Sequence, residues 1–126
     1  MAIKIKRIYE NKTDDDGKRV LVDRIWPRGV SKSEAELDEW IKDVAPSTEL
    51  RKWFNHDEEK FKMFAEKYKK ELQSNKKRKE AYDELVYQAS SKKVTLLYAA
   101  KNEKYNHVIL LKDWIKEDIS NIGMKT

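Results

Sequence analysis

At 126 residues the chain is sized for one domain, and 39% apolar residues with four tryptophans, six tyrosines and three phenylalanines supply core enough to exclude a disordered chain, although 40% of its residues are charged. Cysteine is absent, which excludes disulfides, thiolate zinc sites and cysteine nucleophiles and suits a reducing cytoplasm, the expected location. The net charge of +5 leans toward anionic partners, but both signs are interspersed, as on surfaces whose lysines serve solubility.

The first ten residues, "MAIKIKRIYE", alternate apolar and charged side chains. They predict a strand over 3–8 with one wet face rather than a secretory leader. "NKTDDDGKR" reads as a turn, where clustered aspartates tolerate turn geometry and Gly17 permits positive φ. "RVLVDR" (19–24) follows with a continuous Val20-Leu21-Val22 run, the signature of a strand buried on both faces. Ser31 with Glu34 three residues on makes a capping box, predicting a helix to about residue 42 with Leu37, Trp40 and Ile41 inward.

Pro46 breaks the chain, and Ser47 or Thr48 caps a helix with an apolar face of Leu50, Trp53 and Phe54. Asp57 caps the next, whose stripe is Phe61, Phe64, Ala65, Tyr68 and Leu72. After a break at Ser74 and Asn75, a further helix buries Ala81, Tyr82, Leu85, Val86 and Ala89. "VTLLYAA" (94–100) is a third strand, apolar throughout. The last helix runs over 106–118, burying Val108, Leu111, Trp114 and Ile115, and residues 120–126 are expected as a frayed tail.

No run approaches the roughly 20 apolar residues that span a bilayer, so no membrane partner is expected. The pattern predicts one small three-layer α/β domain over residues 1–119. Its short, mainly parallel sheet is flanked by helices, with a long helical crossover between the second and third strands.

In open parallel sheets ligands bind beyond the carboxyl ends of the strands. The loop after the second strand, "DRIWPRG", spends Arg24, Trp26, Pro27, Arg28 and Gly29 in a short span. The loop after the third leads from Tyr98 through Lys101 to Asn106 at the start of a helix. Guanidinium forks and free helix-end amides suit phosphate, sulfate or carboxylate. The expected site therefore joins Arg24, Arg28, Arg51 and Lys101 with Ser47, Tyr98 and Asn106 in one cationic cleft floored by Trp26 or Trp53. Its expected partner is a small phosphate- or carboxylate-bearing ligand.

Whether chemistry follows is open; Asp23, if burial raises its carboxyl, and His56 or Tyr98 are the proton-transfer candidates, Asp23 and His56 first. No glycine-rich phosphate loop or GxGxxG is present, so no nucleotide cofactor of the usual kinds is expected. His56 and His107 match no ligand spacing, so no metal is expected. Two other readings stay open: nucleic-acid binding through Lys76, Lys77, Arg78 and Lys79 at a helix break, and a stress-associated or partner-binding module whose tryptophans build a protein interface. The oligomeric state is open.

"DDGKRVLVDRIWPRG", "WIKDVAPSTELRKWF", "FAEKYKKEL" and "VTLLYAAKNEKYNH", in this order, resemble the YeaO-like branch of the DUF488 family over nearly the whole chain. The resemblance implies a compact cytoplasmic prokaryotic protein and names no reaction. Other DUF488 branches carry cysteines in the loop after the last strand. Here it reads Tyr98-Ala99-Ala100-Lys101, so thiol chemistry does not carry over.

Overall fold

The computed structural model describes residues 3–124. Strand β1 is Ile3–Arg7, β2 is Lys18–Leu21, and a short helix α1 covers Lys32–Ala35. Then come a two-residue strand β3 (Glu39–Trp40), α2 (Thr48–Phe54), α3 (Phe61–Ser74), α4 (Lys76–Ser91), β4 (Val94–Tyr98) and α5 (His107–Met124). The sheet is wholly parallel, in the order β1-β4-β2-β3, with Ile3 opposite Val94 and Leu21 opposite both Leu97 and Trp40.

The centre of the sheet falls to β4, whose five residues are all buried. A strand covered on both faces is apolar wherever a side chain has no bonding partner, which is why its sequence runs without alternation and its one polar residue, Thr95, is hydrogen-bonded. Each fully buried valine or leucine there is worth about 1.5–3 kcal/mol. Side-chain parity then divides the core. Val20, Val22, Val94, Leu96 and Tyr98 face the larger cluster, packed by Leu50, Phe54, Phe64, Tyr68, Leu85, Val108, Leu111 and Ile115 from the helices. Ile8, Leu21 and Leu97 face the other way, covered by Ala35 of α1 with Trp26, Val30, Leu37 and Trp40. The three layers are thus present, with the second outer layer built mostly from loop.

On that thinner side the amino-terminal half of the sheet is polar. Asp16 and Arg19 are each 1% exposed and pair directly, Nη1 to Oδ2 at 2.5 Å. Lys4 and Lys6 of β1 reach the other carboxylate oxygen at 2.8 and 2.9 Å, and Thr95 donates to the Asp16 carbonyl. Burial pushes the Asp16 carboxyl up, but the bonds from Lys4, Lys6 and Thr13 outweigh it and hold it well below the usual carboxylate range. Gly17 is required at the adjoining turn, because at φ +63° an added Cβ would meet the Lys93 backbone at 2.6 Å.

Arg19 also explains where the helix expected over residues 31–42 stops. Its capping box forms as expected, Ser31 with Glu34. After one turn Glu36 adopts a left-handed conformation, and Arg19 collects the Ala35 and Glu36 carbonyls at 2.9 and 3.1 Å. Asp38 then binds the Arg19 backbone through both its amide and its carboxylate, and β3 pairs with β2. The Leu37, Trp40, Ile41 spacing suits a helix, but the buried arginine and the open edge of β2 divert the chain into a strand.

At the other end α5 outruns the expected stop at Asp118, since Ile119 still packs against the core. Of the expected tail, residues 120–124 are helical and residues 125–126 lie outside the described residues. Among the described residues no helix is long and apolar enough to cross a membrane.

Removing one partner of a buried ion pair strands the other charge. Arg19→Met is expected to cost about 3–5 kcal/mol in urea unfolding. The cost of Arg19→Met with Asp16→Asn should fall short of the sum of the single costs. An additive double mutant would show that the pair does not act as a unit.

Candidate functional site

Where β2 and β4 end side by side, a cleft of about 540 Å³ opens, lined from three segments of the chain. The β2 loop contributes Asp23 through Arg28; α2 and its approach give Ala45, Pro46, Arg51, Phe54 and His56; the β4 loop and the start of α5 give Ala99 through Lys101, Asn106 and His107. Phe64 of α3 completes the wall. The volume lies within the range of about 300–1,000 Å³ usual for small-ligand sites.

The loops are fastened by specific bonds. The Trp26 indole donates to its own loop at the Val30 carbonyl, 2.7 Å, and meets Trp40 edge-on with centroids 5.3 Å apart. Trp40 in turn donates to the Asp23 carbonyl at 2.7 Å. The Asp23 carboxylate accepts the Ala99 amide at 2.9 Å, tying the β2 loop to the β4 loop. From the end of β1, Arg7 donates to the Ala99 and Ala100 carbonyls, and the Tyr9 hydroxyl donates to the Arg28 carbonyl.

At the cleft's base the His107 ring, whose side chain is 14% exposed, donates through Nε2 to the Val22 carbonyl at 2.9 Å. The same nitrogen lies 3.5 Å from an Asp23 oxygen. Burial pushes the His107 imidazole below its ordinary value, against the attraction of Asp23 and the Val22 bond. Burial likewise pushes the Asp23 carboxyl up, against the pull of His107, the Ala99 amide and the Arg51 charge. Asp23 therefore has the raised carboxyl that proton transfer would need; one of its oxygens accepts the Ala99 amide and the other lies 3.5 Å from His107.

Four cationic side chains line this cleft, Arg24, Arg28, Arg51 and Lys101, against the single carboxylate of Asp23. Among the described residues none of the four makes an ion pair or a side-chain hydrogen bond, whereas Lys4, Lys6, Lys18 and Arg19 each hold a carboxylate. His56 stands at the rim, exposed, in a left-handed conformation that follows another at Asn55. Two such residues in succession cost of order 1–3 kcal/mol each.

Of the residues expected together, Asp23, Arg24, Trp26, Arg28, Arg51, His56, Lys101 and Asn106 line this one cleft. Ser47 and Trp53 do not; they line a separate shallow depression. The Ser47 hydroxyl and amide both donate to Glu71 while its oxygen caps α2 at the Leu50 amide, and the Trp53 ring lies beneath Lys60 and Lys67. Tyr98 is 2% exposed and belongs to the core. Asn106 lines the cleft but is 3% exposed, and its oxygen caps α5 at the Val108 and Ile109 amides. Two of the helix-end amides expected free at α5 are thus taken up by a side chain.

His107 was missing from the expected site. Its place one residue after the cap, at the foot of the helix following β4, is the signal that points to it.

These features define a small parallel α/β domain with a cationic cleft at its strand ends. The chain belongs to the DUF488 family: the family model described as "Inactive DUF488-N3 subclade" matches residues 2–123. It is YeaO-like, being 41% identical over 116 residues to the uncharacterized protein YeaO of Escherichia coli, which covers 92% of this chain and 98% of that one. The uncharacterized protein Rv3073c of Mycobacterium tuberculosis is 51% identical over 70 residues, 56% of this chain and 59% of its own. No solved structure matches.

Because the native state disfavours the charged imidazole, the unfolded chain binds that proton more readily. The neutral His107 contributes stability above its ordinary value of 6.5, and that contribution is lost as pH falls. Asp23, shifted upward, acts with the opposite sign nearer the carboxyl range. The urea midpoint of the wild type is expected to drop between about pH 8 and about pH 5 by more than that of His107→Gln. Equal drops would assign the pH dependence to other groups.

Proposed function

We propose that this chain is a binding domain that holds a small phosphate- or carboxylate-bearing anion in the strand-end cleft. The observation that carries the reading is the set of four cations without protein partners around one carboxylate. Cations that merely solubilise a surface have no reason to converge on a concave site, and guanidinium forks match the oxygens of such anions.

Among the described residues the lining includes no serine, threonine, cysteine or tyrosine, which disfavours attack by a hydroxyl or thiol nucleophile. The description of the matching family model as inactive agrees with this. The absence of cysteine suits the cytoplasm, where we place the protein.

The rival readings draw less support. In the run Lys76 to Lys79, Arg78 donates to the Ala45 carbonyl and Lys79 pairs with Asp83, which leaves two lysines uncommitted. Among the described residues the large apolar side chains that stand exposed are Tyr9, Ile25, Met63, Tyr87 and Ile122, and no tryptophan is among them.

A thermal-shift panel of phosphate, sulfate, sugar phosphates, carboxylates and a short oligonucleotide tests the reading. A ligand at a hundredfold its Kd adds about 2.7 kcal/mol to the native state, a rise of several degrees in Tm. Wild type and Lys77→Ala are expected to respond to a small anion, and Arg28→Ala to lose most of the response. A response to the oligonucleotide alone, weakened in Lys77→Ala, would move the functional surface to the lysine run and overturn the proposal.

A further inference from the structure

Resting on the anion-binding reading, we infer that the cleft takes a nucleoside monophosphate whose base presents paired N–H donors, as guanine does, with the phosphate at the arginine rim and the base edge on Asp23. Three observations lead there. Three guanidiniums and an ammonium exceed what one carboxylate needs, and suit a phosphate with several non-bridging oxygens.

Phosphate alone would leave the rest of the cleft unused. Its wall is backed by Phe54, stacked on Phe64 at 4.2 Å and 13°, both buried in the core, and the aromatic ring exposed beside them is that of His56, 6.2 Å from Phe54. On the β2 loop stand Trp26 and the buried Pro27. Flat, mostly apolar walls bury a flat ring well, because ring faces gain both area and stacking.

The third observation is the one carboxylate. Asp23 lies within this apolar lining with its side chain 17% exposed, so an edge remains open to the cleft. The protein spends one amide on it, from Ala99, and holds His107 at 3.5 Å. A carboxylate has about four acceptor positions, so Asp23 retains capacity for donors from a ligand. A phosphate would be repelled by it. A ring carrying two adjacent N–H groups instead matches its two oxygens, as an arginine fork does. Arg51 lines the same cleft, and its charge acts on both Asp23 and His107.

The test is isothermal titration of the full chain with guanosine monophosphate and with ribose 5-phosphate, in wild type, Asp23→Asn and Arg28→Ala. The nucleotide is expected to bind wild type at least about tenfold more tightly than ribose 5-phosphate, the scale of hydrogen bonds to a charged group. Asp23→Asn should lose that preference and keep the sugar phosphate; Arg28→Ala should weaken both ligands. The comparison within wild type stands even if Asp23→Asn fails to fold. Equal affinity of the two ligands in wild type, or a preference unchanged in Asp23→Asn, would overturn this inference and leave the anion-binding reading intact. If neither ligand binds wild type and no small anion raises its Tm, both readings fall.

Discussion

The buried pair of Asp16 and Arg19 is the constraint around which this fold is arranged. A guanidinium at 1% exposure must have its donors satisfied inside the protein, because water cannot reach them. Arg19 meets that demand with Asp16 and with the carbonyls of Ala35 and Glu36. Those bonds end α1, turn the chain at Glu36 and lead β3 onto the edge of β2. Asp16 meets its own demand with Lys4 and Lys6, which places β1 on the far side of β4. A single polar knot at the amino-terminal end of the strands thus aligns the sheet, and the cleft opens at the opposite end.

This arrangement divides what the sequence discloses from what it conceals. The β2 and β4 runs are legible because continuous apolar residues in a short segment require burial on both faces, whatever the neighbours are. The stripe Phe64, Tyr68, Leu72 of α3 is legible for the same local reason, and all three are buried. β3 was not legible. Leu37, Trp40 and Ile41 have helical spacing, and only the carbonyls claimed by Arg19, a residue far back in the chain, decide against a helix. Nothing within residues 31–42 records that claim.

The cleft follows the same division. Arg24, Arg28 and Lys101 were placed by topology, since parallel neighbours bring their carboxyl-end loops together without regard to sequence separation. Ser47 was misplaced because helix N-terminal position says nothing about which way the helix points. Its partner Glu71, on α3, turns the hydroxyl and amide away from the cleft. Asn106 shows the complementary case. The residue was placed correctly, but two of the donors expected beside it were already used by its own side chain.

Two groups of cationic side chains contrast. Lys4, Lys6, Lys18 and Arg19 hold carboxylates, and Arg7 holds backbone carbonyls; these lie on the sheet and support its connections. Arg24, Arg28, Arg51 and Lys101 hold nothing among the described residues; their loops are bound instead through Trp26, Trp40, Asp23 and Arg7, and α2 through Ser47 and Glu71. Like charges gathered around a single counter-charge raise the free energy of the folded state. Their retention in a cleft fastened by other residues is poorly explained by stability, and well explained by an anion that supplies the missing charge. The basic residues that hold the fold and those that face the cleft are therefore different residues, which allows each set to be altered by itself.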